Sequence, residues 1–175
     1  SLRFMDKIFE RAAVFQPDSL NDWNSSSVLS MTFAFSDAIM FDAKIADWDL
    51  TSAISISHMF EGAETFNRDL SYWNVSGVTR MTSVFEGAVA FDQDISDWDV
   101  SKVADMTSMF ASATSFNQDL SAWKLDDFTV IDGMFSNATR FDQDLCSWVL
   151  TGKPQFNAAT LFDGSGCQVN DRASK

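Results

Sequence analysis

Basic residues are scarce in this sequence, and so are long apolar runs. Twelve Lys and Arg stand against 25 Asp and Glu, which gives a net charge of −13. Binding to a nucleic-acid backbone depends on Lys and Arg that neutralise phosphates, so the charge argues against nucleic acid as a partner. No apolar run approaches the roughly 18 residues that a membrane-spanning helix needs. We therefore expect no transmembrane segment within these residues.

The residues of common active sites are scarce too. His58 is the single histidine, and no Ser or Cys stands in a nucleophile motif. The sequence has no phosphate-cradling glycine loop, no zinc-ligand spacing and no dinucleotide fingerprint. We therefore expect no catalytic residue, no cofactor and no specific metal site, and we interpret the chain as a non-enzyme.

Aromatic residues, in contrast, are abundant and strictly periodic. Tryptophan occurs at positions 23, 48, 73, 98, 123 and 148, and the interval is always 25 residues. Phe repeats with the same period in two columns, 35, 60, 85, 110, 135 and 41, 66, 91, 116, 141. A fixed period of this length predicts a stack of structural repeats in which neighbours share one core. The six predicted core tryptophans are Trp23, Trp48, Trp73, Trp98, Trp123 and Trp148.

Each 25-residue unit suggests a strand followed by a helix. The pattern L-x-x-W-x-V alternates apolar and polar positions around Trp, as a short half-buried strand does. Turn-forming residues follow, and then Met109, Phe110 and Ala113 in one unit have the spacing of one helical face. We therefore predict an α/β fold with a short parallel strand and a short helix per coil. Met5, Ile8, Phe9, Ala12 and Phe15 predict an N-terminal capping helix.

The chain is long enough for one domain with a sizeable core. We predict a single solenoid domain over residues 1–175. Within it, residues 1–22 form the N-terminal cap and first partial coil, 23–150 the regular coils, and 151–175 the C-terminal cap and tail.

The motifs resemble a known repeat. L-x-x-W-x-V, S-x-V-T-x-M, M-F-x-x-A and F-N-Q-D-L recur in this order over about residues 5–162. They are similar to the 25–26-residue repeat of bacterial surface proteins called DUF285 or the BspA-like leucine-rich-repeat group. The resemblance implies a right-handed, leucine-rich-repeat-like solenoid of about six coils. It also implies a surface or secreted location and a role in adhesion or protein binding.

The residues that flank the tryptophans form the candidate binding surface. Because they alternate with an inward Trp, they should point outward on one face. The candidate partner-binding residues are Asp22, Asn24, Asp47, Asp49, Tyr72, Asn74, Asp97 and Asp99. An acidic strip of this kind suits a basic protein partner, and its oxygen ligands also suit divalent cations. The structural alternative is a solvated face that keeps the protein soluble.

Two further features concern structure. A second acidic column, Asp69, Asp94, Asp119 and Asp144, lies four residues before Trp, and a column of Asp and Asn lies two residues earlier, at Asp42, Asn67, Asp92, Asn117 and Asp142. In both columns we expect the side chains to accept hydrogen bonds from backbone N–H groups a residue or two on, and calcium binding between coils is the alternative. A disulfide between Cys146 and Cys167 would clip the C-terminal tail to the last coil, and two separate thiols are the alternative. The two cysteines and the sequons at Asn24, Asn74 and Asn137 are compatible with secretion.

The sequence thus predicts a non-enzymatic interaction or adhesion module, surface-exposed or secreted, that binds a macromolecular partner through its acidic strip. A structural accessory or linker subunit inside a larger assembly, including one within an organelle, is the alternative.

Overall fold

The structure, a computed structural model, describes residues 2–145, 148 and 158–166. Successive units lie side by side and pair through isolated parallel bridges. The bridges join Phe4 to Ser30, Ser30 to Ser55, Ser55 to Arg80, Arg80 to Asp105, Asp105 to Val130, and Ser19 to Lys44. Five of these six bridges connect residues 25 apart, so the sequence period is also the register of the stack.

The predicted strand-plus-helix coil is wrong. In the described part of the chain the only α-helix is α1 (Ala158–Leu161), and the bridges do not join into a sheet. The coils consist of turns and irregular backbone instead. No helix among the described residues has the length and apolarity to cross a bilayer.

Left-handed residues explain why no helix forms in the segment after each turn. In the second coil Phe33 and Asp37 have φ angles of 58° and 55°, which a right-handed helix cannot include. The N–H groups of this segment alternate in direction. Phe33 and Phe35 donate to carbonyls of the next coil, whereas Ala34 donates to Met31 within the turn. The equivalent left-handed positions in later coils are His58, Gly62, Ser83, Gly87, Ser108, Ser112, Gly133 and Asn137.

Local hydrogen bonds explain why the tryptophan segment is not a strand. The backbone N–H of Trp48 donates to Ile45 at 3.1 Å, and that of Asp49 donates to the Ser25 hydroxyl at 2.8 Å. The donors that a sheet ladder would use are therefore engaged in turns and side-chain contacts. The in–out alternation survives nonetheless, because Trp48 and Leu50 are buried while Asp47 and Asp49 are exposed.

The predicted N-terminal capping helix is also wrong. Lys7 and Arg11 are left-handed, like their counterparts in the following coils. The N–H groups of Met5, Lys7, Phe9 and Arg11 donate to Ser30, Thr32, Ala34 and Ser36 of the next coil. The helical spacing of the apolar residues arose because this segment is another copy of the turn segment, shifted by the extra residue before Leu20.

The core consists of stacked aromatic columns. In the inner phenylalanine column, successive rings such as Phe60, Phe85 and Phe110 lie 5.6 Å apart and nearly parallel. Within a coil the two phenylalanines are closer, with 3.8 Å between the centroids of Phe85 and Phe91. Phe162 extends the column beyond Phe135 at 5.7 Å. Flat rings in register thus fill the interior between the turns, and their 5.6 Å spacing along the column lies in the range that aromatic pairs prefer.

Candidate functional site

The eight predicted partner-binding residues, here called the Trp-flanking strip, are all exposed. Tyr72 is the most prominent apolar surface among them, with 83% of its area accessible. Between them Trp48, Trp73 and Trp98 are buried, so the strip is a row of polar side chains over an aromatic base. It runs along the first four coils.

The strip residues that follow each tryptophan are fixed by local hydrogen bonds. Asp49 Oδ1 accepts the backbone N–H of Thr51 at 2.9 Å and its hydroxyl at 2.7 Å. Asn24 and Asn74 accept the same pair of bonds from Ser26 and Ser76. The Thr51 hydroxyl, followed by its backbone N–H, lowers the pKa of Asp49. This row therefore has a structural role as the Asx cap of a turn.

Asp99 belongs to the same row and also interacts electrostatically with two lysines. Its Oδ1 accepts the backbone N–H of Ser101 at 3.1 Å. Hydrogen bonds from the Ser101 hydroxyl and backbone are the main causes that lower the pKa of Asp99, and Lys102 and Lys124 add a smaller attraction. Lys124 stands at the equivalent position one coil later, so the acidic character of the strip ends there.

The strip residues that precede the tryptophans are different. In the described part of the chain, the carboxylates of Asp22, Asp47 and Asp97 have no hydrogen bond or ion pair. The four ion pairs that the structure shows all join other side chains. The strip thus combines a rigid, turn-bound row with a row of unpaired carboxylates directed to solvent.

The second acidic column forms local turns, as the sequence predicted. Asp69, Asp94 and Asp119 each accept the backbone N–H two residues on, at 2.8–2.9 Å. The bond from the Ser96 backbone is the main cause that lowers the pKa of Asp94, and that from Ser121 does so for Asp119. These carboxylates are structural.

A third polar column bridges neighbouring coils, over a longer range than the local turns that we had predicted for it. We call it the Asx ladder, and it comprises Asp42, Asn67, Asp92, Asn117 and Asp142. Each side-chain oxygen accepts the backbone N–H of the next member, at 2.9–3.1 Å. The sequence signal was present, because this column contains only Asp and Asn. We had expected acceptance a residue or two along the chain, whereas the donor lies 25 residues on.

Neutral and cationic neighbours complete the Asx ladder. Gln118 donates to Asp92 and Gln143 to Asn117, at 2.8–2.9 Å between the side chains. Arg68 lies 2.6 Å from the carboxylate of Asp42. Asp and Asn alternate along the ladder, so carboxylates do not stand on adjacent coils.

The other residues that the sequence analysis singled out do not form a common site. Trp23 is 37% exposed, whereas the other tryptophans are only 3–4% exposed, since no described coil lies in front of it. His58 contacts Glu61 at 2.9 Å and stacks on Phe33. Cys146 and Cys167 lie outside the described residues. No group of three His, Cys, Asp or Glu that would suit a metal ion occurs in the part of the chain that the structure describes.

Comparison with known proteins gives a family and no function. The family model described as "Mycoplasma protein of unknown function, DUF285" matches residues 1–88 and 67–169. No curated protein and no solved structure matches the chain. The two overlapping matches cover nearly the whole sequence, as expected of tandem repeats.

Proposed function

This chain belongs to the DUF285 family, and we propose that it is a non-enzymatic interaction module at the cell surface or secreted. In this proposal a basic protein partner binds to the Trp-flanking strip. The observation that carries the proposal is the row of exposed, unpaired carboxylates at Asp22, Asp47 and Asp97. Isolated carboxylates contribute little to folding, so their recurrence at one position in three of the first four coils, with Tyr72 at that position in the other, favours a use outside the fold.

The second row of the strip supports the same use. Asn24, Asp49, Asn74 and Asp99 are held by turn hydrogen bonds, so their positions are set before any partner arrives. A surface that is already ordered loses less conformational entropy on binding. Tyr72, the most exposed aromatic residue of the strip, supplies apolar area of the kind that concentrates binding energy at interfaces.

The charge of the whole chain adds long-range attraction. A net charge of −13 accelerates the approach of a cationic partner and repels anionic surfaces. The strip then offers a defined place for docking. Salt should weaken such binding mainly by slowing association.

The alternative is an accessory or linker subunit of a larger assembly. It is favoured by one observation, the exposed apolar side chains outside the strip, including Ile39, Val89 and Phe128. In that case the contact would use these side chains and not the strip.

Affinity capture with matched variants tests the proposal. The wild-type chain, immobilised at low density, is incubated with a cell-surface extract, and the retained proteins are identified by mass spectrometry. Asp47→Asn with Asp97→Asn removes two charges from the strip. Glu64→Gln with Glu86→Gln removes two charges from the turn segments and serves as the control.

We expect a retained basic protein that the control variant also retains and the strip variant loses. Purified partner should then bind the strip variant at least about tenfold more weakly, as expected for a few lost charge contacts. If both variants lost the basic protein to the same extent, its binding would depend on the total charge of the chain and not on the strip. Equal retention by both would show that the strip is not the binding surface.

A further inference from the structure

Three asparagines of the chain stand in the pattern Asn-x-Ser/Thr, which is the acceptor pattern for N-linked glycans in a secretory compartment. They are Asn24, Asn74 and Asn137. Asn24 and Asn74 are exposed, and each follows a tryptophan at the same position of the repeat, two coils apart. The structure gives these two sites a common geometry that Asn137 does not share.

The local turn fixes which atom of Asn74 faces solvent. Asn74 Oδ1 accepts the backbone N–H of Ser76 at 3.2 Å and its hydroxyl at 2.7 Å. Because a backbone N–H can donate only to the oxygen of the amide, the Nδ2 lies on the side away from the turn. Asn24 accepts the same two bonds from Ser26, at 3.1 Å and 2.7 Å. In the described part of the chain neither Nδ2 makes a hydrogen bond, so both nitrogens are accessible to a modifying enzyme.

The turn itself does not require asparagine. Asp49 and Asp99 stand at the same position in other coils and accept the equivalent backbone bond with a carboxylate. Asn and Asp are comparable caps for such a turn. The turn therefore explains the serine two residues after Asn24 and Asn74, but it leaves the Nδ2 of both without a structural role. This unused nitrogen is the observation that carries the inference.

Tyr72 adds a second feature at one of the two sites. Its side chain is 83% exposed. Tyr72 precedes Asn74 by two residues with the buried Trp73 between them, so the two side chains lie on the same outward face, roughly 6.5 Å apart along the backbone. The C–H face of a sugar on Nδ2 can pack on the phenol ring, which buries apolar area of both. Asn24 has Asp22 at the corresponding position and lacks this contact.

We propose that Asn24 and Asn74 carry N-linked glycans. The donor is an oligosaccharide joined to a lipid through a pyrophosphate, and a transferase of the secretory compartment acts on it. The Nδ2 attacks the anomeric carbon of the first sugar and gives up one proton. The bond from that carbon to the phosphate oxygen breaks, and the lipid pyrophosphate leaves with the bonding electrons. The product is still an amide, so Oδ1 keeps both turn bonds and the fold accepts the glycan unchanged.

Asn137 lies in a different setting. Its backbone is left-handed, with a φ of 56°, and its N–H donates to Asp163 at 2.7 Å. A Cβ placed on Gly164 would lie 2.5 Å from Asn137 Oδ1, so the backbone at Gly164 packs against this side chain. Within the described residues Thr139 does not donate to Asn137. We therefore expect lower occupancy at Asn137 than at the other two sites.

Glycosylation rests on the secreted or cell-surface location of the proposed function, and it also narrows the docking surface. The two glycan attachment points lie roughly 10 Å apart, at the spacing of paired parallel segments. Glycans there cover Tyr72 and the carboxylates of Asp47 and Asp49 between them. The part of the strip that stays open to a protein partner is then Asp97 and Asp99.

Peptide mass spectrometry tests the proposal. The protein isolated from its source organism is treated with an amidase that releases N-glycans and converts each glycosylated Asn to Asp. We expect this conversion at Asn24 and Asn74, and less of it at Asn137. The full chain, secreted from eukaryotic cells behind a signal peptide, is analysed in the same way. There Ser76→Ala should lose the glycan at Asn74, and the matched variant Ser76→Thr should keep it.

The proposal is overturned if either Asn24 or Asn74 is unmodified in the native protein. If the secreted chain is nevertheless modified at both, the sites are competent and the location in the proposed function is wrong. If the secreted chain is also unmodified, the acceptor geometry is wrong and the proposed location still stands. Capture experiments with chain produced in the bacterial cytoplasm, which carries no such glycan, test the strip independently.

Thermal unfolding of the secreted chain tests the contact with Tyr72. Asp49 and Asp99 accept the turn bond as well, so the conversion of Asn74 to Asp keeps the turn and the melting temperature reports on the sugar. We expect glycan release to lower the melting temperature by about 2 °C in the wild type and by less in Tyr72→Ala. Asp97→Ala, at the equivalent position of a coil without an acceptor, should respond like the wild type. An equal response of Tyr72→Ala and the wild type would overturn the contact.

Discussion

The indole N–H of Trp98 donates to the backbone carbonyl of Leu70 at 3.0 Å, across 28 residues of sequence. Trp73, Trp123 and Trp148 make the same bond to the coil before them. Each of these tryptophans therefore fills the core and also ties two coils together. The indole N–H would otherwise be buried without a partner, which is costly.

Trp98 should be among the most sensitive positions of the chain. Trp98→Ala should cost about 3–5 kcal/mol of unfolding free energy, because it leaves a large cavity beside Phe85. Trp98→Phe keeps an aromatic ring but loses the bond to Leu70, so we expect a smaller loss of about 1–3 kcal/mol. Urea denaturation followed by circular dichroism measures both. An unchanged free energy of unfolding in Trp98→Ala would contradict the shared aromatic core.

The Asx ladder should respond to charge as well as to lost hydrogen bonds. Asn117→Asp keeps the acceptor for the N–H of Asp142 but places a third carboxylate between Asp92 and Asp142. We expect a loss of about 1 kcal/mol at low ionic strength that recovers in 1 M NaCl, since salt screens exposed charges. Asn117→Ala removes the acceptor, so its loss of about 1 kcal/mol should not depend on salt.

Urea titrations of both variants at 10 mM and 1 M NaCl make this comparison. Equal salt dependence of the two losses would argue against like-charge repulsion in the ladder. A gain in stability from Asn117→Asp would contradict the ladder itself.

Much of this architecture follows from the sequence period alone. The column of tryptophans predicted which side chains are buried, and five of the six are. The flanking aspartates were expected to face outward, and Asp47 and Asp97 do lie exposed. Both inferences depend only on the spacing of apolar residues, which burial enforces in any backbone conformation.

The conformation of the coil did not follow from that spacing. A short helix and a pair of i to i+3 turns bury nearly the same positions, so Met109, Phe110 and Ala113 suited both. The distinguishing signal was the column Asp37, Gly62, Gly87, Ser112 and Asn137. Gly, Asn and Asp tolerate positive φ better than other residues, and a column rich in them indicates a left-handed position. The helical spacing of apolar residues does not indicate which residues have a left-handed backbone.

The strip was also only partly predictable. Its positions follow from the alternation around Trp, but the division into two rows depends on turns that periodicity does not reveal. Asp99 was expected only to point outward, and it also caps the turn at Ser101. Asp97, two residues earlier, has no such bond in the described chain.

The left-handed positions give a pair of substitutions with opposite signs. Gly87 has a φ of 68°, and a Cβ built there would meet nothing closer than 3.7 Å. Gly87→Ala should therefore lose about 1 kcal/mol from backbone strain alone. Ser108 has a φ of 55° at the other left-handed column, so Ser108→Gly should gain up to about 1 kcal/mol. Thermal and urea unfolding of both variants test this. Stability changes of the same sign in both variants would contradict the left-handed backbone at these positions.

The turn aspartates should make stability depend on acid pH. Backbone and hydroxyl hydrogen bonds hold the pKa of Asp94 and of Asp99 below the ordinary value of 3.8 in the folded chain. The folded state therefore favours the charged form more than the unfolded state does. That contribution is present above about pH 3.8, and it is lost as the pH falls through the lower folded pKa. It should be small, because both groups are largely exposed.

Asn in place of both aspartates isolates this effect. Asn24 and Asn74 already accept the turn bond that Asp99 accepts, and the amide oxygen of an Asn at position 94 can accept the Ser96 N–H in the same way. The Asp94→Asn, Asp99→Asn variant should therefore keep nearly wild-type stability at pH 7. Its melting temperature should fall less steeply than that of the wild type as the pH is lowered below about 4, because the turn hydrogen bonds lower the pKa of Asp94 and of Asp99 in the folded chain. Asp97→Asn removes one charge at a carboxylate without a turn bond, so it is the control for net charge. If Asp97→Asn reduces the fall of the melting temperature in acid as much as the double variant does, that result would show that net charge, and not the turn bonds, governs acid unfolding.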